Sequence, residues 1–472
     1  MGIDQDSPTN QIPINLGILG HVDAGKTSIA RRLTEIVSTA GLDAHPQSQK
    51  RGITIDLGFT FFTLGHFIVT LVDAPGHADL IRSVVSSADI IDAALLVVDG
   101  KEGPQIQTGE HLVILDSFDI KDIFIVINKI DLLSLGERQS MVRKIQSITS
   151  NTKYAQNAPI IPVSANTGEG FDQLKSLLLD RLKPPVRQVN APFRVVIDHH
   201  FPIKGHGTIL TGTILEGVLK VGDTFVIEPL NLPGKVKSLQ FAKQEVSNVQ
   251  AGQRVGISVT NLDPNIPYRG CVLVKDKTDI VVSHLFRATC RINPFYKDIL
   301  SFGMQVHVSV GMQTVSGQIF PYEDEQNLPY KKEEINTQES FQAIVNLMEP
   351  VVVKRGDKIL LSRFDLPPTT LRIAGSGIFQ EELGEKPPLY RRKLKTGHIK
   401  SIQHSQGIVV EDLAQSKEGA DKMVNRLVTN PRGKIVGTFG TKGNVVIRLE
   451  NSTAVIEIGQ EIHAIEPREI SY

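Results

Sequence analysis

The stretch Gly20-His21-Val22-Asp23-Ala24-Gly25-Lys26-Thr27 decides the fold of the amino-terminal third of the chain. It fits the pattern G-x-x-x-x-G-K-[ST] and stands between an apolar run typical of a buried strand and a segment with helical periodicity. In that context backbone N–H groups surround phosphates, which the positive end of the following helix also attracts. The octapeptide therefore predicts a phosphate-binding loop, formed by Asp23, Ala24, Gly25, Lys26, Thr27 and Ser28.

The residues around this loop alternate between apolar runs and helical patterns, which is typical of a parallel sheet built from βαβ units. The predicted strands are 14–19, 67–72, 93–98, 123–127 and 160–163. The predicted helices are 27–38, 78–87, 107–116, 137–150 and 170–181. Lys183-Pro184-Pro185 then ends the pattern, because two prolines cannot continue a helix.

A carboxylate and a glycine after the second predicted strand extend the site toward the terminal phosphate. Asp73 suits Mg²⁺, directly or through water, and the Thr27 hydroxyl can ligate the same ion. Gly76 can offer its N–H to a γ-phosphate, and His77 follows it. The segment therefore predicts a nucleotide site that holds Mg²⁺.

Two loops after later strands indicate which base is bound. Asn128-Lys129-Ile130-Asp131 can read guanine, because the Asp131 carboxylate accepts from the base's N1–H and exocyclic amine, a pair that adenine cannot offer. Ser164-Ala165-Asn166 follows the last strand and can close over the base through the Ala165 N–H. In this order and at strand ends, the motifs predict a site for GTP or GDP.

The composition predicts a soluble protein of several domains. At 472 residues the chain is too long for one hydrophobic core, and its apolar fraction of 40% and charged fraction of 22% are ordinary. No apolar run reaches the roughly 18 residues of a membrane-spanning helix. Two cysteines are too few for a disulfide framework. We therefore expect a cytoplasmic protein without a membrane partner, beginning with a disordered tail over 1–11.

Short β-rich runs follow residue 189 at roughly ten-residue spacing, which is typical of a β-barrel. These runs are 193–198, 208–215, 224–227, 234–238, 254–259 and 271–274. A second all-β stretch covers 280–379, in which we expect the polar residues 322–340 to form a loop. The predicted organisation is an α/β P-loop GTPase domain (1–188), two β-barrel domains (189–276 and 277–385) and a β-rich domain (386–472).

The segment Arg51-Gly52-Ile53-Thr54-Ile55-Asp56 resembles switch I of translational GTPases, although an ordinary strand start would look the same. The resemblance implies that Thr54 completes the Mg²⁺ shell when a γ-phosphate is present. It also implies that His77 is the catalytic residue that orients the attacking water, a place where Ras-like proteins use Gln. The histidine favours the translational branch of GTPases.

Over nearly its whole length the chain resembles the selenocysteine-specific elongation factors (SelB) of archaeal or eukaryotic type. The motifs that carry this resemblance are 51–59, 72–80, 198–199, 201–205, 268–271, 365–372, 413–417 and 437–443. It implies a monomer with a GTPase domain, two β-barrels like those of EF-Tu, and a β-rich fourth domain.

The resemblance also implies an aminoacyl pocket for selenocysteine at Asp198, His199 and Arg269. A selenol is largely ionised at neutral pH, and an arginine with a carboxylate-held histidine offers that anion charge-assisted hydrogen bonds. Serine, carried by the same tRNA before conversion, stays neutral and gains little. Without the resemblance, Asp198-His199 would be interpreted as a surface pair at a strand end.

The implied function is delivery of selenocysteinyl-tRNA to the ribosome at UGA codons specified by a SECIS element, with GTP hydrolysis on codon recognition. The fourth domain is basic, since Tyr390 to Arg448 contain 12 Lys and Arg against 4 Asp and Glu. A solvated surface and a contact with RNA explain that excess equally well. SECIS RNA or a SECIS-binding protein is the partner expected there, beside the tRNA arm and the ribosome.

Three other classes remain open at this point. A general EF-Tu-type factor would end after three domains. The gamma subunit of initiation factor two, a carrier of initiator tRNA, normally has a Cys-rich knuckle in its GTPase domain, and Cys271 and Cys290 lie beyond that domain. A GTP-regulated subunit of sulfate adenylyltransferase would give no reason for a basic fourth domain.

Overall fold

The structure, a computed structural model, describes residues 11–34, 58–73, 84–85, 88–150, 152–203, 207–260, 262–263, 267–275, 279–325, 327–335, 340–404, 407–451 and 455–472. The predicted tail apart from Gln11, the switch segment with Thr54, and Gly76 and His77 lie outside these residues. Spatial contacts divide the chain into two compact units. Met1–Leu300, Met304–Ile319 and Glu334–Gly384 form the first, and Ser301–Gly303, Phe320–Glu333 and Glu385–Tyr472 form the second.

Within the described ranges, a six-stranded sheet forms the centre of the GTPase domain. Its strands are β1 (Ile12–Gly20), β2 (Gly58–Leu64), β3 (Phe67–Asp73), β4 (Ala93–Asp99), β5 (Asp122–Asn128) and β6 (Ile160–Pro162). The order is β2-β3-β1-β4-β5-β6, and only β2 runs antiparallel to its neighbour. The five parallel strands confirm the sequence prediction. The sequence did not predict β2, because this half-buried strand mixes threonines with its apolar residues instead of forming an apolar run.

Helices in the described part of this domain follow the strands. They are α1 (Lys26–Thr34), α2 (Ile106–Ser117), α3 (Leu135–Thr149) and α4 (Phe171–Arg181). These bounds confirm the predicted helices 107–116, 137–150 and 170–181 and the start of 27–38, whereas 78–87 lies mostly outside the described residues. The helices cover both faces of the sheet, and every residue of β3 and β4 is consequently buried. No helix in the described ranges is long and apolar enough to cross a membrane.

The second domain is a closed β-barrel, as predicted. Its strands are β7 (Arg194–Ile203), β8 (Gly207–Glu216), β9 (Val218–Lys220), β10 (Thr224–Glu228), β11 (Leu232–Phe241), β12 (Gln244–Val246), β13 (Asn248–Gln250), β14 (Arg254–Val259) and β15 (Val272–Val274). The barrel order is β10-β15-β7-β8-β14-β11, and pairing of β11 with β10 closes it. A bulge interrupts the pairing of β7 with β8 between Ile197 and His199.

The third domain is a second closed barrel. Its strands are β16 (Ile280–Ile292), β17 (Leu300–Ser301), β18 (Met304–Val310), β19 (Gln313–Glu325), β20 (Leu328–Lys331), β21 (Glu334–Ile335), β22 (Phe341–Lys354), β23 (Lys358–Ser362) and β24 (Ile373–Glu382). The order β18-β23-β24-β16-β22-β19 is closed by pairing of β19 with β18. The prediction of a loop over 322–340 is wrong, because β19, β20 and β21 occupy most of it. Its composition is polar, but Tyr322, Tyr330 and Ile335 are buried.

The second unit contains the carboxyl-terminal barrel. Its elements are β25 (Leu389–His404), β26 (Gly407–Glu411), α5 (Lys417–Asp421), β27 (Leu427–Thr429), β28 (Gly433–Phe439), β29 (Asn444–Leu449) and β30 (Glu461–Ile470). The order β25-β26-β29-β28-β27-β30 closes where β30 pairs with β25. Its apolar core includes Ile399, Val410, Ile447 and Ala464. The predicted class, an α/β GTPase domain followed by two barrels and a β-rich fourth domain, is confirmed, while the domain boundaries stay a prediction.

Candidate nucleotide site and polar cluster of the second domain

Asn128 connects the phosphate loop with the loop after β6. At the end of β5 its amide donates to the Ala24 carbonyl at 2.9 Å, and its Oδ1 accepts from the Ala165 N–H at 3.1 Å. A Cβ atom at Gly25 would lie 2.2 Å from Asn128 Nδ2, and the φ of Gly25 is +87°, so only glycine fits there. One buried side chain therefore joins two loops that the sequence predicted to share a ligand.

The phosphate end of the site brings a lysine, a hydroxyl and a carboxylate together. Lys26 Nζ donates to the carbonyls of Gly20 and His21 at 3.0 and 2.9 Å. Thr27 Oγ1 donates to Asp73 Oδ2 at 3.2 Å, and Asp73 is fully buried at the end of β3. Hydroxyl and carboxylate oxygens beside a phosphate loop are the ligand types that Mg²⁺ prefers, so these residues fit that ion. The described residues contain no group of three or more His, Cys, Asp or Glu that could hold a metal.

The base end of the site is a turn that two carboxylates, those of Asp131 and Asp99, hold in place. Asp131 Oδ1 accepts from Ser164 Oγ at 2.6 Å, and this hydrogen bond lowers the pKa of the exposed Asp131 carboxyl. Lys129 adopts a φ of +64°, and its Nζ lies 2.6 Å from Asp99 Oδ2. Burial alone would raise the pKa of Asp99, but hydrogen bonds from Lys129 and two backbone N–H groups lower it. The Asp131 carboxylate is thus ionised at neutral pH and positioned to accept hydrogen bonds.

The remaining predicted residues of this site lie in the same loops. Asp23 is exposed with a φ of +63°, and Ser28 is exposed in the first turn of α1. The Asn166 carbonyl accepts from Arg32 at 3.3 Å. The described part of the predicted site is therefore assembled at the carboxyl ends of β1, β3, β5 and β6.

Helix α2 links the phosphate loop to the third domain. His111 is buried, and burial, with the nearby charges of Lys26 and His21, lowers its pKa to about 3. The preceding residue, Glu110, accepts from Arg372 Nε and Nη2, each at 2.9 Å. The sequence analysis did not select this ion pair, although a glutamate and a histidine inside an otherwise apolar helical face were a signal for it.

A buried carboxylate organises a polar cluster in the second domain, which we call the Asp198 cluster. Asp198 Oδ1 accepts from Thr211 Oγ1 at 2.5 Å and from Arg254 Nη2 at 2.8 Å, and His199 Nδ1 lies 2.8 Å away. Burial alone would raise the pKa of Asp198, but the charge of Arg254 and the hydrogen bonds from His199 and Thr211 lower it. The alternative interpretation as a surface pair at a strand end is wrong for Asp198, which is buried within β7 at the bulge.

Phe59 of β2 packs on this cluster. The guanidinium carbon of Arg254 lies 3.8 Å from the centroid of the Phe59 ring, a cation–π contact. The His199 ring meets Phe59 edge to face, with centroids 6.4 Å apart. The GTPase domain thus contacts the cluster through a strand that begins directly after the predicted switch I segment.

The arginine that the sequence analysis selected, Arg269, lies on the turn before β15. The Gly270 N–H donates to the Ile197 carbonyl at 2.8 Å, which sets the backbone of this turn beside β7. Arg269 is half-buried. The guanidinium that donates to Asp198 is that of Arg254, a residue that the sequence analysis did not select. Its signal was a charged residue at the start of the apolar strand β14.

Matches to family models follow the order of the domains. Residues 12–184 match the elongation factor Tu GTP-binding domain, 207–274 match elongation factor Tu domain 2, and 280–382 match domain III of the archaeal selenocysteine-specific elongation factor. Together with the guanine-nucleotide site, these matches define a GTPase of the translational class.

Comparisons over the whole chain identify the branch of that class. The chain is 44% identical to the selenocysteine-specific elongation factor of Methanocaldococcus jannaschii, over 93% of this chain and 94% of that one. The crystal structure of SelB from Methanococcus maripaludis in complex with the GTP analogue GppNHp matches with a TM-score of 0.77 and 38% identity, covering 98% of this chain and 100% of that one. A translation initiation factor 2 subunit gamma from Methanothermobacter thermautotrophicus is 34% identical over 54% of this chain and 72% of its own length. The chain belongs to the family of selenocysteine-specific elongation factors.

Proposed function

We propose that this protein binds selenocysteinyl-tRNA in its GTP-bound state and delivers it to the ribosome. Delivery takes place at UGA codons specified by a SECIS element, and codon recognition triggers GTP hydrolysis. The observation that carries the proposal is the Asp198 cluster, which pairs an arginine and a carboxylate-held histidine within one barrel face. A general tRNA carrier or an initiation factor needs no such site for an anion.

The charges of the Asp198 cluster support recognition of a selenolate. The formal charges of Asp198 and Arg254 (−1 and +1) cancel, so a selenolate needs a further cation, for which His199 is the first candidate. The His199 side chain is 37% exposed and Asp198 is not exposed at all, so the ligand meets the imidazole and not the carboxylate. Arg269 is the second candidate cation. One hydrogen bond to a charged group contributes about 1.5–3 kcal/mol, which is roughly a 10- to 150-fold preference over neutral serine.

The nucleotide site supports a GTP-driven cycle. Asn128 and Asp131 hold the guanine, Lys26 contacts the phosphates, and Thr27, Thr54 and Asp73 hold Mg²⁺. When bound, that ion neutralises charge on the phosphate oxygens. His77 orients the attacking water, and contact with the ribosome positions it.

A direct comparison of cargo tests the proposal. Affinities for selenocysteinyl-tRNA and seryl-tRNA on the same tRNA body are measured at fixed salt with a non-hydrolysable GTP analogue. Selenocysteinyl-tRNA should bind more tightly by roughly one to two orders of magnitude. Equal affinities would remove the selenocysteine assignment while leaving the GTPase assignment intact.

Single substitutions then separate the two candidate arginines. Arg254→Ala should abolish the preference for selenocysteinyl-tRNA. The variant removes a positive charge and leaves the negative charge of Asp198 without its arginine partner, and that negative charge repels a selenolate. If Arg269 donates to the selenolate, Arg269→Ala lowers the preference without that added repulsion. Lys237→Ala removes an exposed lysine from the same barrel and should leave the preference unchanged. An unchanged preference in both arginine variants would place the cargo site elsewhere.

Turnover tests the catalytic role of His77. His77→Ala should retain GTP binding and slow ribosome-stimulated hydrolysis by about 10²–10⁴-fold, the usual contribution of one positioned acid–base group. Normal turnover in this variant would exclude His77 from the mechanism.

A further inference from the structure

β25 and β30 form an antiparallel ribbon that extends beyond the carboxyl-terminal barrel. They pair continuously from Leu389 opposite Ile470 to His398 opposite Glu461. In the described part of the chain, β30 pairs with β27 only at Ala464 and His463. The ribbon formed by 391–394 and 465–468 therefore continues past the point where the barrel ends.

One face of this ribbon, which we call the cationic face, carries Arg391, Lys393, Lys395, Glu466 and Arg468. Arg391 lies opposite Arg468, and Lys393 lies opposite Glu466. Opposite residues of an antiparallel pair point to the same side, and so do residues two apart along one strand. Lys395 Nζ lies 3.4 Å and Arg468 Nε 3.9 Å from the Glu466 carboxylate, which places all three on that side. The formal charge of the face is four positive minus one negative, or +3.

The cationic face is built with an electrostatic conflict. Like charges directly opposite each other destabilise a sheet, and Arg391 opposite Arg468 is such a pair. A single carboxylate, Glu466, is shared between two of the four cations. Arg391 and Lys393 are exposed, and Arg468 is 48% exposed, so an external anion can reach them. An anionic ligand would relieve this repulsion.

On the opposite face of the same ribbon the cations have carboxylate partners of their own. Arg392 donates from Nη2 to Glu323 Oε1 and Glu325 Oε2, each at 2.7 Å, and its guanidinium carbon lies 4.6 Å from the centroid of the Tyr330 ring. Further along β25, Lys400 Nζ lies 2.6 Å from Glu411. Arg392 and Lys400 therefore have their own carboxylate partners, whereas the cationic face has one carboxylate for four cations.

We propose that the cationic face binds the phosphodiester backbone of RNA without reading its bases. The inference deepens the proposed function, on which it rests, by assigning the RNA contact of the carboxyl-terminal barrel to four side chains. The three cations of β25 repeat every second residue, a spacing of about 6.7 Å that is close to the distance between successive phosphates of a nucleic-acid strand. Lysine and arginine side chains are donors only, which suits phosphate oxygens.

Salt-dependent binding of RNA to the full-length protein tests this assignment. Two probes are titrated by fluorescence anisotropy across a KCl series: an uncharged selenocysteine tRNA transcript and an mRNA stem-loop that contains the SECIS element. Lys393→Ala and Arg468→Ala should each weaken binding and lower the slope of log Kd against log salt by roughly one. Glu466→Gln removes the only carboxylate of the face and should strengthen binding. The probe whose slope changes is the RNA that the face contacts.

Two control variants make the test specific. Lys400→Ala removes a lysine that already has a carboxylate partner, and it should leave the slope within a few tenths of the parent value. Arg468→Lys keeps the charge and should keep the slope, whereas loss of the slope there would indicate structural damage and overturn the assignment. Salt slopes equal to those of the parent protein, with both RNAs and in both Lys393→Ala and Arg468→Ala, would also overturn it. The assignment would fail in that case even if the two variants changed the binding of an acidic protein.

The outcome is separable from that of the cargo test. Variants of the cationic face should leave the preference for selenocysteinyl-tRNA over seryl-tRNA unchanged, since they lie in the second unit and the Asp198 cluster lies in the first. If that preference is absent while the salt slope still falls in Lys393→Ala, the RNA contact stands and the cargo assignment fails.

Discussion

Truncation of the buried ion pair between α2 and the third domain tests how firmly that domain is joined to the GTPase domain. The Glu110 side chain is 0% exposed and that of Arg372 is 4% exposed. Two side-chain hydrogen bonds at 2.9 Å and a backbone N–H at 3.3 Å all end on the Glu110 carboxylate. Removing one partner of such a pair leaves an uncompensated buried charge, which costs about 3–5 kcal/mol. We therefore expect Glu110→Ala to lower the free energy of unfolding by about that amount.

Urea unfolding followed by far-UV circular dichroism measures this loss, because the chain contains no tryptophan for a fluorescence signal. The double variant Glu110→Leu/Arg372→Met should recover most of the stability, since apolar replacement of a whole buried pair is often close to neutral. As a matched control, Glu381→Ala breaks an exposed pair with Arg287 and should cost about 1 kcal/mol or less. A loss below about 1 kcal/mol for Glu110→Ala, or a double variant as unstable as the single one, would refute the reasoning.

Three further predictions concern the nucleotide site and the Asp198 cluster. His111 becomes protonated below about pH 6.5 in the unfolded chain but only near pH 3 in the folded chain. Between these two pH values the free energy of unfolding should therefore fall on acidification by about 1.4 kcal/mol per pH unit. In urea titrations His111→Phe should flatten this slope, and an unchanged slope would contradict the assignment. Gly25→Ala should weaken binding of a fluorescent GDP analogue about tenfold or more, because its Cβ meets Asn128 at 2.2 Å, whereas Gly136→Ala, which meets nothing within 4 Å, should bind normally; equal affinities would contradict the strain argument. Phe59→Leu removes a cation–π contact of about 1–2 kcal/mol and should weaken selenocysteinyl-tRNA binding about 5- to 30-fold at unchanged GDP affinity, and parent-like binding would count against it.

The structure brings the described motifs of the predicted nucleotide site together, and the sequence could indicate this because each motif is local. Asn128 lies 104 residues from Ala24, yet both belong to short motifs whose order along a parallel sheet implies that they meet. Arg254 lies 56 residues from Asp198 in no such motif, and only the pairing of β7, β8 and β14 shows the contact. Composition likewise misrepresented 322–340, where a few buried aromatic and aliphatic side chains outweigh many polar ones. The sequence pattern thus predicts strands and helices, whereas contacts between side chains on different barrel strands depend on the register in which those strands pair.

Strand β2 connects the nucleotide site to the Asp198 cluster over a very short distance. Gly58 lies opposite Asp73 in the pairing of β2 with β3, and the next residue, Phe59, packs on Arg254. A displacement of Asp73 would therefore reach the cluster within one residue of a hydrogen-bonded strand pair. A bound nucleotide can change the affinity for the tRNA only by the difference in contact free energy between the two conformations of the protein that it favours and disfavours. Since this cation–π contact contributes about 1–2 kcal/mol, it limits a nucleotide-dependent change in cargo affinity through Phe59 to about 30-fold, and any larger change requires other contacts between the GTPase domain and the barrels.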